Sequence, residues 1–166
     1  MMMAHFAIQT DVVDRFSVAE RRVFRNVDGQ TYAVVGHNRE LGLLTDIWFG
    51  TYGSEDNFRS VLEYMCEQFE TGDYRLWLAD LRFLSQSFFD AQQYLVEEAC
   101  PRAIRAGLAR EAVVMRPAED VPEGFNVFGS AHAALQQIAD GRVRGFTDMD
   151  MAREWLINGT LPDRLR

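Results

Sequence analysis

Two short, nearly continuous apolar runs, each preceded by a helix-like segment, constrain the fold of this chain more than any other feature. The runs are YRLWLAD at residues 74–80 and REAVVM at residues 110–115. A strand buried on both faces of a sheet has this pattern, because both of its rows of side chains contact protein. The alternation of such strands with helical segments predicts an α/β domain with a largely parallel sheet.

Helical periodicity defines the segments between the strands. After Ser54, a natural N-cap residue, apolar side chains recur four, three and four residues apart on one helix stripe. The members of this stripe are Phe58, Leu62, Met65 and Phe69.

Three further helices are predicted toward the carboxyl terminus. One spans residues 90–107, and Pro101 is expected to kink or restart it because proline lacks the backbone N–H that a helix needs. Another spans residues 128–141. The last begins at Thr147, in a sequence that resembles a capping box, and carries Trp155 inward.

The amino-terminal part of the domain reads as antiparallel. Two β-favouring runs flank Asp28-Gly29, a pair that favours a tight hairpin turn, and LGLLTDIWFG at residues 41–50 is a further strand. The predicted fold is therefore a single, mostly parallel sheet with an amino-terminal antiparallel hairpin and helices packed on it. The predicted division is an amino-terminal extension without predicted structure at residues 1–20, one domain at residues 21–160, and a tail at residues 161–166.

Composition narrows the class of protein and its partners. The chain is 48% hydrophobic and 12% aromatic, as in a packed globular domain. Its 17 basic and 25 acidic residues give a net charge of -8, which repels a phosphate backbone and argues against nucleic acid as a partner.

The cysteines and the apolar runs indicate a compartment. Cys66 and Cys100 lack zinc-site spacing with the three histidines, and we expect both to be reduced, buried thiols. No apolar run approaches the length of a membrane span, and the first residues lack the features of a signal peptide. A cytoplasmic protein is the expectation, and no cofactor or metal motif is found.

Three segments resemble a family of small bacterial proteins with a SpoIIAA-like (STAS-like) fold. The segments are WLADLR, CPRAIRAGLAREAVVM and FTDMDMAREWL, and the resemblance covers roughly residues 30–158. It implies a β-α superhelix with all strands in one sheet. These small proteins mostly lack an assigned activity, so the resemblance indicates a fold rather than a reaction.

The resemblance raises the question of a phosphorylation switch. Anti-sigma-factor antagonists share the architecture and are switched at one serine of an Asp-Ser-Ser-Gly-like step. The corresponding stretch here is SQSFFDAQQ, which lacks that step. Ser85 and Ser87 lie nearby and are weak phosphorylation candidates.

Four polar residues are candidates for a site, since ligands of open α/β sheets bind beyond the carboxyl ends of the strands. They are Asp80, Arg82, Arg116 and Tyr52. Arg82 and Arg116 could hold an anion while Asp80 orients one of them. The favoured interpretation is structural: Asp80 and Arg82 form a local ion pair that ends the strand and organises the turn after it.

Aromatic residues are concentrated in the same region and suggest a pocket or a dimer patch. They are Phe88, Phe89, Phe125 and Phe128. The favoured interpretation is ordinary core packing, because aromatic residues at helical spacing usually lie in a core.

The sequence thus favours a non-enzymatic, STAS-like interaction or regulatory module that binds a partner protein or itself as a homodimer. The alternative is a carrier of a small apolar or anionic ligand, with a pocket at the carboxyl ends of the strands. An enzyme ranks third, because no set of nucleophile, base and orienting group is present in the sequence pattern.

Overall fold

The structure, a computed structural model, describes residues 10–87, 91–120 and 140–159. Three consecutive strands follow the first helix, strands and helices then alternate, and a short 3-10 turn at Ala118–Asp120 follows the fifth strand. In chain order the elements are α1 (Thr10–Phe16), β1 (Ala19–Arg25), β2 (Thr31–Asn38), β3 (Leu43–Gly50), α2 (Glu55–Phe69), β4 (Leu76–Leu84), α3 (Gln92–Tyr94), a π-helical turn (Leu95–Ala99), α4 (Cys100–Arg105), β5 (Arg110–Val114), β6 (Val143–Phe146) and α5 (Met149–Asn158).

All six strands form one sheet in sequence order. β1, β2 and β3 pair antiparallel, and β3, β4, β5 and β6 pair parallel. The predicted hairpin forms at the Asp28-Gly29 step, where Gly29 has a φ of 80° and its N–H bonds to the carbonyl oxygen of Asn26. The predicted fold class is confirmed.

Each face of the sheet carries its own core. On the face that we call the α2 face, α2 and the helical segment of residues 92–105 cover Trp48 and Trp77. On the opposite face, the α5 face, α1 and α5 cover Leu43 and Ile47. Alternate residues of β3 therefore point to opposite layers, as the alternation in its sequence predicts.

β4 is longer than the sequence indicated. The apolar run predicted a strand that ends at Asp80, but β4 continues to Leu84, so that prediction is wrong. The reason is that the two neighbours of β4 end at different levels. β5 pairs with β4 only as far as Asp80, whereas β3 pairs with it as far as Leu84.

The helical segment of residues 92–105 restarts at Pro101, as predicted. A π-helical turn ends at Ala99, and α4 then begins with Pro101 in its first turn. Proline removes one backbone donor, and the wider turn before it accommodates that loss. The predicted first residues of this helix, from 90, lie partly outside the described residues, as does most of the helix predicted at 128–141.

α5 begins one residue later than predicted. Asp148, not Thr147, is the N-cap: its backbone is extended and its carboxylate accepts the N–H of Met151 at 3.0 Å. Gly159 ends the helix in the left-handed conformation, and Trp155 is buried as expected.

A helix lies within the segment for which the sequence predicted no structure. α1 buries Val12 and Phe16 completely on the α5 face, and the side-chain amide of Asn38 donates to the carbonyl oxygen of Phe16 at 2.8 Å. A helix of seven residues is too short to give a clear periodic signal, and packing rather than propensity stabilises it.

Candidate functional site

The Asp-Leu-Arg step of β4 contains a β-bulge. Ile47 pairs with Asp80 and Phe49 pairs with Phe83, so two steps along β3 match three steps along β4. A bulge adds a residue to one strand and changes the direction in which the next side chains point. Here it brings Phe83 against Phe49, whose ring it stacks on at 6.4 Å between centroids and 20° between planes.

A charged network holds this bulge in place. The Asp80 carboxylate is fully buried and accepts two bonds from the Arg82 guanidinium, from Nε at 2.9 Å and from Nη2 at 2.7 Å. Asp80 also accepts the backbone N–H of Arg82 at 3.2 Å. The outer side of the guanidinium donates to Asp11 of α1 at 2.6 and 3.1 Å.

The electrostatics of the network follow from these contacts. Burial acts to lower the pKa of Arg82, but the hydrogen bonds to Asp80 and Asp11 outweigh it, and the pKa is raised above its usual value. The same hydrogen bond from Arg82 lowers the pKa of Asp11. A guanidinium bonded by two carboxylates serves as a structural ion pair, and an anionic ligand would have to compete with Asp11 for it.

The other polar candidates, Arg116 and Tyr52, lie at the carboxyl ends of the strands as expected, but they bind backbone. Arg116 donates from Nη2 to the carbonyl oxygen of Leu84 at 3.3 Å. Tyr52 is buried, and its hydroxyl donates to the carbonyl oxygen of Ser87 at 2.6 Å. Ser85 is exposed and its N–H bonds to the carbonyl oxygen of Gly50 at 2.7 Å. These contacts fasten the segment after β4.

An exposed aromatic residue marks this end of the sheet. Among the large apolar side chains that the structure describes, Phe83, at 39% exposure, and Val27, in the hairpin turn, are the exposed ones. The Arg82 guanidinium lies 5.3 Å from the centre of the Phe83 ring, within cation-π range. We call Phe49, Arg82 and Phe83 the carboxyl-end patch.

Four aromatic residues are the other candidates that the sequence suggests for a pocket or a dimer patch. Phe88, Phe89, Phe125 and Phe128 lie outside the described residues.

A small cavity on the α2 face was not expected from the sequence. It has a volume of about 30 Å³ and lies between the sheet and the α2 layer. Its walls are apolar and aromatic, apart from the carboxyl groups of Asp46 and Glu111. The apolar wall includes Trp48, Phe58, Leu62, Trp77, Leu95 and Val143.

Asp46 is held by two indole groups. Its carboxylate is almost completely buried and accepts Nε1 of Trp48 at 2.9 Å and Nε1 of Trp77 at 2.7 Å. Burial raises the pKa of Asp46 to about 6, although the two indole bonds act in the opposite direction.

Glu111 of β5 reaches the same cavity without such partners. Among the described residues, none donates a hydrogen bond to its carboxyl group, and Glu111 as a whole residue is half-buried. Burial raises the pKa of Glu111 well above its usual value, and the charge of Asp46 adds to this effect. The sequence gives a signal for Asp46, which is a charged residue within the mostly apolar strand β3, but none for Glu111, which follows Arg110 at the start of β5.

Cys66 and Cys100 are free and buried, as predicted, and burial raises the pKa of each thiol to about 12. Within residues 10–87, 91–120 and 140–159, no three His, Cys, Asp or Glu side chains are arranged to hold a metal ion. None of the helices described there is long and apolar enough to cross a membrane.

Comparison with known proteins gives no assignment. The chain matches no protein-family model, no curated protein and no solved structure.

Proposed function

We propose that this chain is a non-enzymatic, STAS-like interaction module and that the carboxyl-end patch is its binding surface. The observation that supports this most is the exposure of Phe83 on a rigid base. The ring stacks on Phe49, and the strand that carries it is fixed from behind by the ion network of Asp80, Arg82 and Asp11.

A patch of this kind has the features of an interface centre. Aromatic residues and arginine contribute most to binding energy at protein interfaces, above all when their positions are fixed before binding. Phe83 is aromatic, and its position is fixed before binding because the bulge sets the direction of its side chain. The ion network restricts Arg82 beside it. The Asp-Leu-Arg step therefore acts as a scaffold for the residue that follows it.

A second copy of the chain is the partner that fits this patch best. The network at the patch has a net charge of only -1, since the one guanidinium of Arg82 is paired with the two carboxylates of Asp80 and Asp11, so the local repulsion between two copies is small. A twofold axis would place Phe83 of each copy against the carboxyl-end patch of the other. The net charge of -8 still repels two copies at long range, so association should strengthen with added salt.

Sedimentation velocity over a wide range of protein concentrations tests this proposal. We expect the wild type to associate reversibly and Phe83→Asp to remain a monomer, because a charge would be buried without a partner. Val27→Asp is the matched control, since it adds the same charge at an exposed apolar residue outside the patch. Equal association of Phe83→Asp and Val27→Asp would contradict the proposal.

If the wild type is a monomer at all concentrations, a second copy is excluded as the partner. The proposal then requires a different protein, and a labelled chain should capture that protein only when Phe83 is intact.

The buried free thiols agree with action in the cytoplasm, where cysteines stay reduced.

The alternative, a carrier of an apolar or anionic ligand near Arg82, receives less support. The Arg82 guanidinium already bonds two carboxylates. The cavity that the described residues form lies on the other face of the sheet and is lined by acids rather than arginines.

A further inference from the structure

We propose that the cavity on the α2 face, which we call the acid cavity, is a binding site for the ammonium group of a small organic amine. It is defined by Asp46 and Glu111 and by the rings of Trp48, Trp77 and Phe58. This site is separate from the carboxyl-end patch and does not depend on its role.

The two carboxyl groups are the first reason for this ligand class. A carboxylate in an apolar site needs a compensating donor or counter-charge. Among the described residues, two indole N–H groups but no cation bind Asp46, and none donates a hydrogen bond to Glu111. An ammonium group carries one positive charge and several N–H donors, so it supplies what both groups lack.

The aromatic wall is the second reason. Ring faces attract cations, and proteins use aromatic rings in this way to recognise ammonium ligands. The rings are fixed in advance, because Trp48 and Trp77 are bonded through Nε1 to Asp46 and Trp48 also stacks on Phe58 at 5.5 Å. Such fixed rings lose little freedom on binding.

The size of the cavity limits the ligand. A water molecule needs roughly 10–15 Å³ of this kind of volume, and the cavity has about 30 Å³. There is room for an ammonium group with about one attached carbon, and the rest of a longer amine would extend past Glu111, which is partly exposed. A trimethylammonium group is too large.

Protons should compete with the amine for the same carboxyl groups. The titratable neighbours are Asp80 of β4, which is paired with Arg82, and the thiols of Cys66 and Cys100, whose raised pKa keeps them neutral. Burial raises the pKa of the Cys100 thiol, and the charge of Arg142, which precedes β6, acts in the opposite direction. Asp46, whose pKa burial raises to about 6, and Glu111, whose pKa burial raises well above its usual value, are thus the groups for which protons compete, and amine affinity should rise with pH as they ionise.

Titration of the intact chain with methylammonium, followed by NMR of the indole N–H signals, tests this inference. We expect saturable shifts of the Trp48 and Trp77 signals, while Trp155, which is buried on the α5 face, stays unchanged. Acetamide and acetate, of similar size, should produce no such shifts, and tetramethylammonium should be excluded. Affinity for methylammonium should increase from pH 5 to pH 8.

Glu111→Gln is the decisive variant, with Glu67→Gln on the exposed side of α2 as its control. Removal of the counter-charge should weaken methylammonium binding about tenfold or more, as the loss of about 1.4 kcal/mol would, and Glu67→Gln should bind like the wild type. Ala79 of β4 also lines the cavity, so Ala79→Val, which fills part of its volume, should abolish the shifts. Equal shifts with acetamide, unchanged affinity in Glu111→Gln, or no saturable shift in the wild type would each overturn the inference.

Discussion

Asp80 is fully buried, and Arg82 supplies both the positive charge and the donors that its carboxylate requires. Arg82→Ala should therefore lower the free energy of unfolding by about 3 kcal/mol, because a buried charge loses its partner. Urea denaturation at neutral pH measures this change. The exposed pair of Arg39 and Asp73 is the comparison: Arg39→Ala should leave the denaturation midpoint unchanged. Similar midpoints for the two variants would show that the network does not stabilise the fold.

Glu111 should make the protein less stable as the pH rises. Its pKa is raised in the folded state, so the folded chain holds the proton more tightly than the unfolded chain does. The folded state is favoured most at low pH, and this contribution is lost as the pH rises through the folded pKa. Asp46 affects stability with the same sign: its contribution is lost as the pH rises from the ordinary pKa of an aspartate to about 6.

Glu111→Gln removes this dependence without removing a hydrogen bond to any described residue. We expect it to be more stable than the wild type at about pH 8 and to lose that advantage as the pH falls toward 4. Urea denaturation at several pH values follows the difference, with Glu67→Gln as the surface control. An advantage that grows on acidification would show that the sign assigned to Glu111 is wrong.

Among the elements, α5 begins one residue later in the structure than the sequence predicted. Asp148→Ala should lower the free energy of unfolding by about 1 kcal/mol, because it removes the side chain that accepts the Met151 N–H. Thr147→Ala should have a much smaller effect, since Thr147 precedes the N-cap. Thermal or urea denaturation of both variants decides which residue caps the helix, and a larger loss at Thr147 would restore the sequence prediction.

α1 is the element that the sequence missed, and its contribution to stability is measurable. Phe16 is almost completely buried on the α5 face, so Phe16→Ala should cost about 3 kcal/mol through lost burial and a new cavity. The same denaturation experiment tests it. A loss no greater than that of an exposed substitution would mean that α1 is not packed on the sheet in solution.

The sequence predicted well those elements whose pattern depends only on which of their faces contact an apolar layer. The stripe from Phe58 to Phe69 needs only the sheet beneath it, and the alternation in β3 needs only two apolar layers. The end of β4 depends on where β3 and β5 end, which is tertiary information. α1 is stabilised by packing against α5, a helix far away along the chain. The seven residues of α1 are too few for their own pattern to predict a helix.

The same distinction applies to the site across the whole molecule. The Asp80–Arg82 pair could be predicted because its members are two residues apart on one strand. Asp11 joins them from 71 residues away, and Asp46 and Glu111 meet only because β4 brings their strands to the same cavity. No rule based on spacing along the chain predicts that residues so far apart in sequence lie close together.

The two proposed sites lie on opposite faces of the sheet and should act independently. Phe83 stacks on Phe49, which packs against the core of the α5 face, whereas the acid cavity opens on the α2 face. Phe83→Asp should therefore leave the methylammonium affinity unchanged, and Glu111→Gln should leave self-association unchanged. Comparison of both readouts in both variants checks this, and a change in both for either variant would mean that the faces are coupled.

The central claim is that the carboxyl-end patch binds a second copy of the chain, and residue-resolved NMR over a dilution series tests it most directly. If the account is right, the amide signals of Phe49, Arg82 and Phe83 shift together with concentration and shift further with added salt. The signals of Trp48, Trp77 and Glu111 stay constant in the same series. Shifts confined to the exposed edge strand β1, or none at any concentration, would contradict the claim.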